Sequence, residues 1–312
     1  MPTAFLFPGQ GSQRVGMGTS LARYAAARDV FAAVDDALDR PLSRLMAEGP
    51  EDELTLTRNA QPALMAVSIA TVRALEEELD RPFAAFTDLV AGHSLGEYTA
   101  LTAAGTFDVA TAARLLDLRG AAMQQAVPVG EGAMAALLGL DVERVAALLG
   151  TIAGAVDIAN DNADGQVVVS GERAAVEAAV AAAQGAGARR VTLLPVSAPF
   201  HCRLMRPAAQ RMTAALDAVT LAPPAMPVVA NVTAEALTDA DAIRAALIDQ
   251  VCGRVRWRET MAALAAAGTD RLVEAGSGRV LAGLAKRAVR GATVMHLETA
   301  DDVVKVAAAL AG

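Results

Sequence analysis

Gly92-His93-Ser94-Leu95-Gly96 restricts what this chain can fold into more than any other stretch of it. A short apolar run, Asp88 to Ala91, leads into it, and a helix-forming stretch through Glu97 to Ala104 leads out. A serine bracketed by glycines between a buried strand and a helix reads as a nucleophile elbow, a turn so tight that Gly is needed on both sides. The serine is thrust up at the helix N-terminus, where developing negative charge meets the helix dipole. The next backbone N–H, that of Leu95, then points at a substrate carbonyl oxygen. The plainer alternative is an ordinary turn with Ser94 as a helix cap; the strand before and the helix after favour the nucleophile.

An elbow needs a sheet to stand on, and hydrophobic spacing supplies the elements. From Ser20 to Leu38, Tyr24, Phe31, Val34 and Leu38 form one helical stripe, ended by Pro41. A second helix is expected from Asn59 near the cap, with Pro62 in the first turn, to about Leu79. Asp108 caps a third, Val109–Ala126, which carries Arg114 and Arg119. The rhythm then changes: strand Ala133–Leu138, helix Asp141–Leu149, strands Val156–Ala159 and Gln166–Ser170, helix Glu172–Ala186 and strand Arg190–Val196. That βαββαβ order is a ferredoxin-like unit set inside a larger domain. Helices Arg203–Ala218, Asp239–Gln250, one from Trp257, and Val280–Val289 follow, with strands Val228–Asn231 and Arg271–Glu274 among them. Alternating strands and helices on both flanks imply an α/β fold with a parallel sheet covered on both faces. The expected division is a core of residues 1–128 and 199–312 and a subdomain of residues 129–198.

Composition excludes several classes of function. With 54% hydrophobic and 20% charged residues, the chain is folded, and no uninterrupted apolar run approaches the roughly 18 to 20 residues that cross a bilayer. A formal charge of -8 argues against nucleic-acid binding, which needs a basic face. Cys202 and Cys252 lack the spacing of a zinc or redox pair and are too few for a disulfide framework. Met1 to Gly11 has no basic n-region and does not read as a signal peptide, so the expected location is the cytoplasm.

A serine nucleophile needs a base, and His93, His201 and His296 are the three histidines available. The elbow turns His93 away from Ser94, and His296 sits in an apolar terminal stretch with no turn to aim it. His201, at the end of Val196-Ser197-Ala198-Pro199-Phe200, is chosen by elimination over its alternative as a cap of the next helix. No Asp is marked as a third triad member; the helix ending at Gln250 and the turn after it offer a side-chain or main-chain oxygen instead. Gln10, in Phe7-Pro8-Gly9-Gln10-Gly11-Ser12-Gln13, is either an oxyanion donor or part of a simple turn. For Arg119 the local sequence favours a surface ion pair; if buried, it would suit a carboxylate ligand.

Together these stretches, with Gln61-Pro62, Gly92 to Glu97, Arg119-Gly120, Gly132-Ala133-Met134, Asn162, Gln166-Val167-Val168, Asn231-Val232 and Gly283-Leu284 with Lys286-Arg287, resemble the malonyl-CoA:acyl-carrier-protein transacylases over nearly the whole chain. The resemblance implies an α/β-hydrolase-like core with an inserted ferredoxin-like subdomain. It implies Ser94 as nucleophile, His201 as base, Gln250 orienting the imidazole through its main-chain carbonyl, Gln10 and the Leu95 N–H as oxyanion site, and Arg119 on the malonyl carboxylate. The implied reaction is ping-pong transfer from malonyl-CoA, a substrate, to acyl carrier protein for fatty acid synthesis, by a monomer with no cofactor and no metal. An acidic carrier needs a basic surface on this acidic chain, and Lys286, Arg287 and Arg290, with Arg189 and Arg190 as a second candidate, are where it is expected. The alternatives are a serine thioesterase or other hydrolase, and a malonyl transferase of malonate decarboxylase or of a polyketide pathway. Departures from the family pattern are Ser277 for a Pro, Ala163-Asp164 for Ser-Pro, and Cys202 for a small hydroxyl residue.

Overall fold

Strand β1, Thr3–Phe7, is buried along its whole length, as a strand covered on both faces must be. It lies inside a six-stranded sheet of the computed structural model, which describes residues 1–311. Helices α1 (Ala25–Leu38), α2 (Leu42–Glu48), α3 (Glu51–Thr55) and α4 (Thr57–Leu79) follow before the chain returns as β2 (Leu89–Gly92), parallel to β1 with Gly92 beside Phe7. After α5 (Leu95–Ala103) and α6 (Val109–Gln125), a second sheet begins.

That sheet contains β3 (Gly132–Leu138), α7 (Val142–Leu149), β4 (Val156–Ala163), β5 (Gln166–Glu172), α8 (Arg173–Gly185) and β6 (Arg190–Leu193) in chain order. Its strands run in the order β4-β5-β3-β6, each antiparallel to its neighbour. One face is closed by Val145 of α7 and Val176, Ala179 and Ala183 of α8, packed on Val167 and Val169.

The chain then re-enters the first sheet through α9 (Arg206–Asp217), β7 (Val228–Val229), β8 (Ala236–Leu237), α10 (Ala240–Gln250), α11 (Trp257–Ala266), β9 (Arg271–Ala275), α12 (Val280–Ala288), β10 (Thr293–Leu297) and α13 (Ala300–Ala311). The order is β10-β9-β1-β2-β7-β8. All pairs are parallel except β7 with β8, a short hairpin that closes one edge. Strand alternation splits the core: Phe5 and Phe7 face the layer that includes α1, α4, α6, α9 and α13, whereas Ala4 and Leu6 face α11 and α12. No helix among the described residues is long and apolar enough to cross a membrane.

Several elements differ from expectation for identifiable reasons. The first helix breaks at Tyr24, whose extended backbone (φ -88°, ψ 132°) turns the ring inward while its hydroxyl donates to Glu78 at 2.9 Å. Helix α4 starts at Thr57, two residues before the expected cap, so Pro62 lies a full turn inside it; Asn59 instead donates its amide to the Glu53 carbonyl. The strand expected over Val228–Asn231 stops at Val229, and Asn231 turns into the elbow. Helices α2, α3 and α13 and strands β8 and β10 lie outside the elements that the sequence spacing predicts.

Candidate active site

The C-terminal ends of β1, β2 and β7 meet at one place, the crevice where sites form in parallel sheets. Strand β2 leads into Ser94 at φ 55° and ψ -112°, a conformation that costs about 1–3 kcal/mol and persists only when its surroundings hold it. The glycines show why the turn tolerates no side chain. A Cβ on Gly92 would lie 1.8 Å from the Gly96 carbonyl oxygen, and one on Gly96 would lie 2.2 Å from that of Phe7. Asn231, fully buried, clamps the turn from the end of β7. Its Oδ1 accepts the Ser94 N–H at 2.7 Å and its Nδ2 donates to the Gly92 carbonyl at 2.7 Å.

Of the three histidines it is His201 whose Nε2 lies against Ser94 Oγ, at 2.7 Å. Its Nδ1 faces the main-chain carbonyls of Gln250 at 2.9 Å and Gly253 at 3.2 Å. Two acceptors there place the ring proton on Nδ1, so Nε2 presents a lone pair and accepts the Ser94 hydroxyl proton. Burial, and then the positive charge of Arg119, push the His201 pKa down to about 3, against the pull of the two carbonyls. The imidazole is therefore neutral. His93 lies behind the turn, its Nε2 2.9 Å from Asn162 Oδ1 and its ring tilted against Trp257. His296 is on β10 beside Glu298 and Asp302.

Arg119 is buried, not paired at the surface as its local sequence favoured. The reason is tertiary: a Cβ on Gly120 would meet the Thr57 carbonyl at 2.6 Å, so glycine lets α6 lie close against the start of α4. Arg119 then donates through Nη1 to Gln61 Oε1 at 2.8 Å, and through Nη2 to Gln250 Oε1 at 2.7 Å and Ser94 Oγ at 3.3 Å. The guanidinium lies 5.6 Å from the centroid of the Tyr98 ring. Among the described residues no carboxylate comes within ion-pair distance of it. The nearby acid is Glu97, buried on α5; burial raises its pKa to about 7, opposed by hydrogen bonds from Gln250 and the Asn231 N–H and by the charge of Arg119.

Ser94, His201, Arg119 and Gln61 line a cavity of about 490 Å³, with Gln10 beside them and Met134 of β3 and Asn160 of β4 contributed by the second sheet. The Leu95 N–H is the first amide of α5, one of those a helix leaves without an internal partner. Gln10 donates its side-chain amide to Thr57 Oγ1 at 3.2 Å, and its main-chain N–H is free for an oxyanion among the described residues. Ser277 ties the glycine loop down by donating to the Ser12 carbonyl at 2.7 Å. The Cys202 thiol donates to the Pro199 carbonyl at 3.0 Å. Among the described residues no group of His, Cys, Asp or Glu is arranged to hold a metal ion.

Gln61, Glu97 and Asn231 had no assigned role in the sequence. No local signal marks them: only the packing of α5, every residue of which is buried, shows Glu97 to be a buried acid. Arranged together, these groups can take a proton from Ser94, receive an oxyanion beside Leu95, and hold an acyl group that ends in a carboxylate.

A family model described as an acyl transferase domain matches residues 4–306. A malonyl CoA-acyl carrier protein transacylase of Escherichia coli (strain K12) is 44% identical over 297 residues, 94% of this chain and 95% of that protein. A crystal structure of an acyl-carrier-protein-S-malonyltransferase from Bartonella henselae superposes with a TM-score of 0.97 at 51% identity, covering 100% of both chains. A malonyl-transacylase solved in complex with its type II PKS acyl-carrier protein gives a TM-score of 0.94 at 41% identity, covering 99% of this chain and 100% of that one.

Proposed function

We propose a reaction from one premise: the chain belongs to the acyl transferase family. It transfers the malonyl group of malonyl-CoA to the phosphopantetheine thiol of an acyl carrier protein, supplying fatty acid synthesis. In the first half-reaction His201 Nε2 takes the Ser94 proton while Oγ attacks the thioester carbonyl. The oxyanion is received by the N–H groups of Leu95 and Gln10, each such donor contributing on the order of a hundredfold in rate or more. The intermediate collapses, the C–S bond breaks, and His201 returns the proton to the CoA sulfur. The second half-reaction runs in reverse order: His201 deprotonates the carrier thiol, the thiolate attacks the malonyl-Ser94 ester, and Ser94 leaves with the proton.

One observation carries the choice of acyl group. Arg119 is buried without a carboxylate partner and lies 3.3 Å from Ser94 Oγ. A buried cation of this kind is costly unless an anion completes it, and the malonyl carboxylate is that anion. A serine thioesterase shares the elbow but has no use for Arg119. Nucleophile, base and oxyanion donors belong to the chain, and the acyl group and the thiols are brought by the substrates, so the proposed reaction calls for no cofactor.

The carrier is placed against Lys286, Arg287 and Arg290, which are exposed around the end of α12 and free of ion pairs among the described residues. The chain is assigned as a monomer whose core is residues 1–128 and 199–312 and whose subdomain is residues 129–198. Its two free thiols suit the cytoplasm.

The test is acylation by malonyl-CoA and acetyl-CoA read by intact mass. A malonyl adduct is expected, absent in Ser94→Ala, and Arg119→Ala should slow malonyl acylation by about 30-fold or more, the scale of losing one side of a buried charged pair. Acetyl labelling as fast as malonyl labelling in the unmodified protein would overturn the role of Arg119.

A further inference from the structure

Gln250 touches the dyad with its carbonyl, and its side chain is used elsewhere. Its Nε2 donates to Glu97 Oε2 at 2.7 Å and to the Ser94 carbonyl at 2.9 Å, and its Oε1 accepts Arg119 Nη2 at 2.7 Å. The amide is thereby oriented one way only. Turned end for end, it would set its oxygen against two acceptors and its NH₂ against a guanidinium. Glu97 is the side chain that enforces this choice. It is itself held by the Asn231 N–H at 3.1 Å, and its helix begins at the elbow.

We propose that Glu97 is a positioning residue for acyl-group selection: by fixing the Gln250 amide it holds Arg119 Nη2 beside Ser94, where the carboxylate of the acyl group is received. This rests on the malonyl-transfer reading above. Glu97 touches neither Ser94 Oγ nor the cavity. Its effect passes through two hydrogen bonds in series, Glu97 to Gln250 and Gln250 to Arg119. Losing it therefore frees the guanidinium to leave its place, while the Ser94–His201 contact and the main-chain carbonyl behind the imidazole are retained. A terminal carboxylate on the acyl group is what Arg119 serves, so an acyl group without one is the control.

The experiment is single-turnover acylation of the whole protein by malonyl-CoA and by acetyl-CoA, followed by intact mass, for the unmodified chain and Glu97→Gln. The variant keeps an acceptor oxygen but loses the charge, so it should lower the ratio of malonyl to acetyl rate constants by about fivefold, the difference between a hydrogen bond to a charged group and one to a neutral amide, and do so through the apparent KM of malonyl-CoA. An unchanged ratio overturns the proposal, whether both rates fall together, as a purely structural role requires, or neither falls. If the unmodified protein takes up no malonyl group, the malonyl-transfer reading itself fails, which is a distinct result. Should Glu97→Gln not fold, the pair Glu97→Met with Gln250→Met removes both polar partners and keeps their volume. Its ratio should match that of Gln250→Met alone, because Glu97 acts through that amide; an unaltered ratio, or a further loss in the pair, overturns the proposal.

Discussion

His201 Nδ1 donates to the main-chain carbonyl of Gln250 at 2.9 Å, so the imidazole is oriented by a neutral oxygen and not by a carboxylate. A carboxylate would stabilise the imidazolium that forms as Ser94 is deprotonated. A carbonyl supplies orientation with far less charge. The base is accordingly weak, in the sense that burial and the neighbouring Arg119 both disfavour its protonated form.

The active form is the neutral imidazole, and its pKa is lowered, so acid inactivation is displaced to lower pH than an ordinary histidine would give. The kcat/KM for acetyl acylation, which calls on His201 but not on the Arg119 position that Glu97 holds, should stay level as pH falls from about 8 to about 5, although Glu97 titrates near 7 within that range. A decline centred near the unperturbed value of 6.5 would contradict the assigned environment of His201.

Asn231→Ala would leave the Ser94 N–H and the Gly92 carbonyl without their partner in a fully buried site. The expected loss of stability is about 2–4 kcal/mol, one penalty for each group, read by denaturant unfolding. Acylation should fall in kcat, since the strained turn that aims Oγ loses its clamp. Unfolding and acylation both equal to those of the unmodified chain would show that the elbow holds itself.

Two glycines should respond to alanine in opposite directions. Gly96→Ala puts a methyl group 2.2 Å from the Phe7 carbonyl oxygen and should cost about 3 kcal/mol or more, with loss of soluble protein. Gly283→Ala, within α12, meets nothing within 4 Å and should raise stability by about 0.5–1 kcal/mol. Thermal melting of both variants decides.

Reversing Lys286 and Arg287 to Glu should raise the KM for the carrier by about tenfold, with a steeper dependence on ionic strength lost at the same time. A carrier KM that does not move would place docking elsewhere, with Arg189 and Arg190 the next surface to reverse.

What the sequence discloses and what it hides separate along physical lines. The elbow is legible because Gly92 answers to a local constraint, its approach to Gly96 within one turn, between a strand and a helix that adjoin it in sequence. The second sheet is legible because its strands and helices alternate at short spacing in the order that the pairing of β3 with β5 and β6 requires. Asn231 and Glu97 are different: their partners lie 139 and 153 positions away, at Gly92 and Gln250 respectively, and nothing local marks them. Arg119 misleads for the same reason, since apolar neighbours on a helix do not say whether the helix packs under a cavity. The break at Tyr24 answers to a partner on α4, Glu78, and periodicity runs straight through it.

The central claim is that an acyl group rests on Ser94 and leaves for a thiol in preference to water. The direct measurement is to malonylate the protein, remove malonyl-CoA, add acyl carrier protein bearing its phosphopantetheine arm, and follow both masses with time. The malonyl mass should pass from the enzyme to the carrier with little free malonate, and carrier lacking the arm should receive none. Malonate released at the same rate with and without the carrier would make the protein a thioesterase and contradict the account.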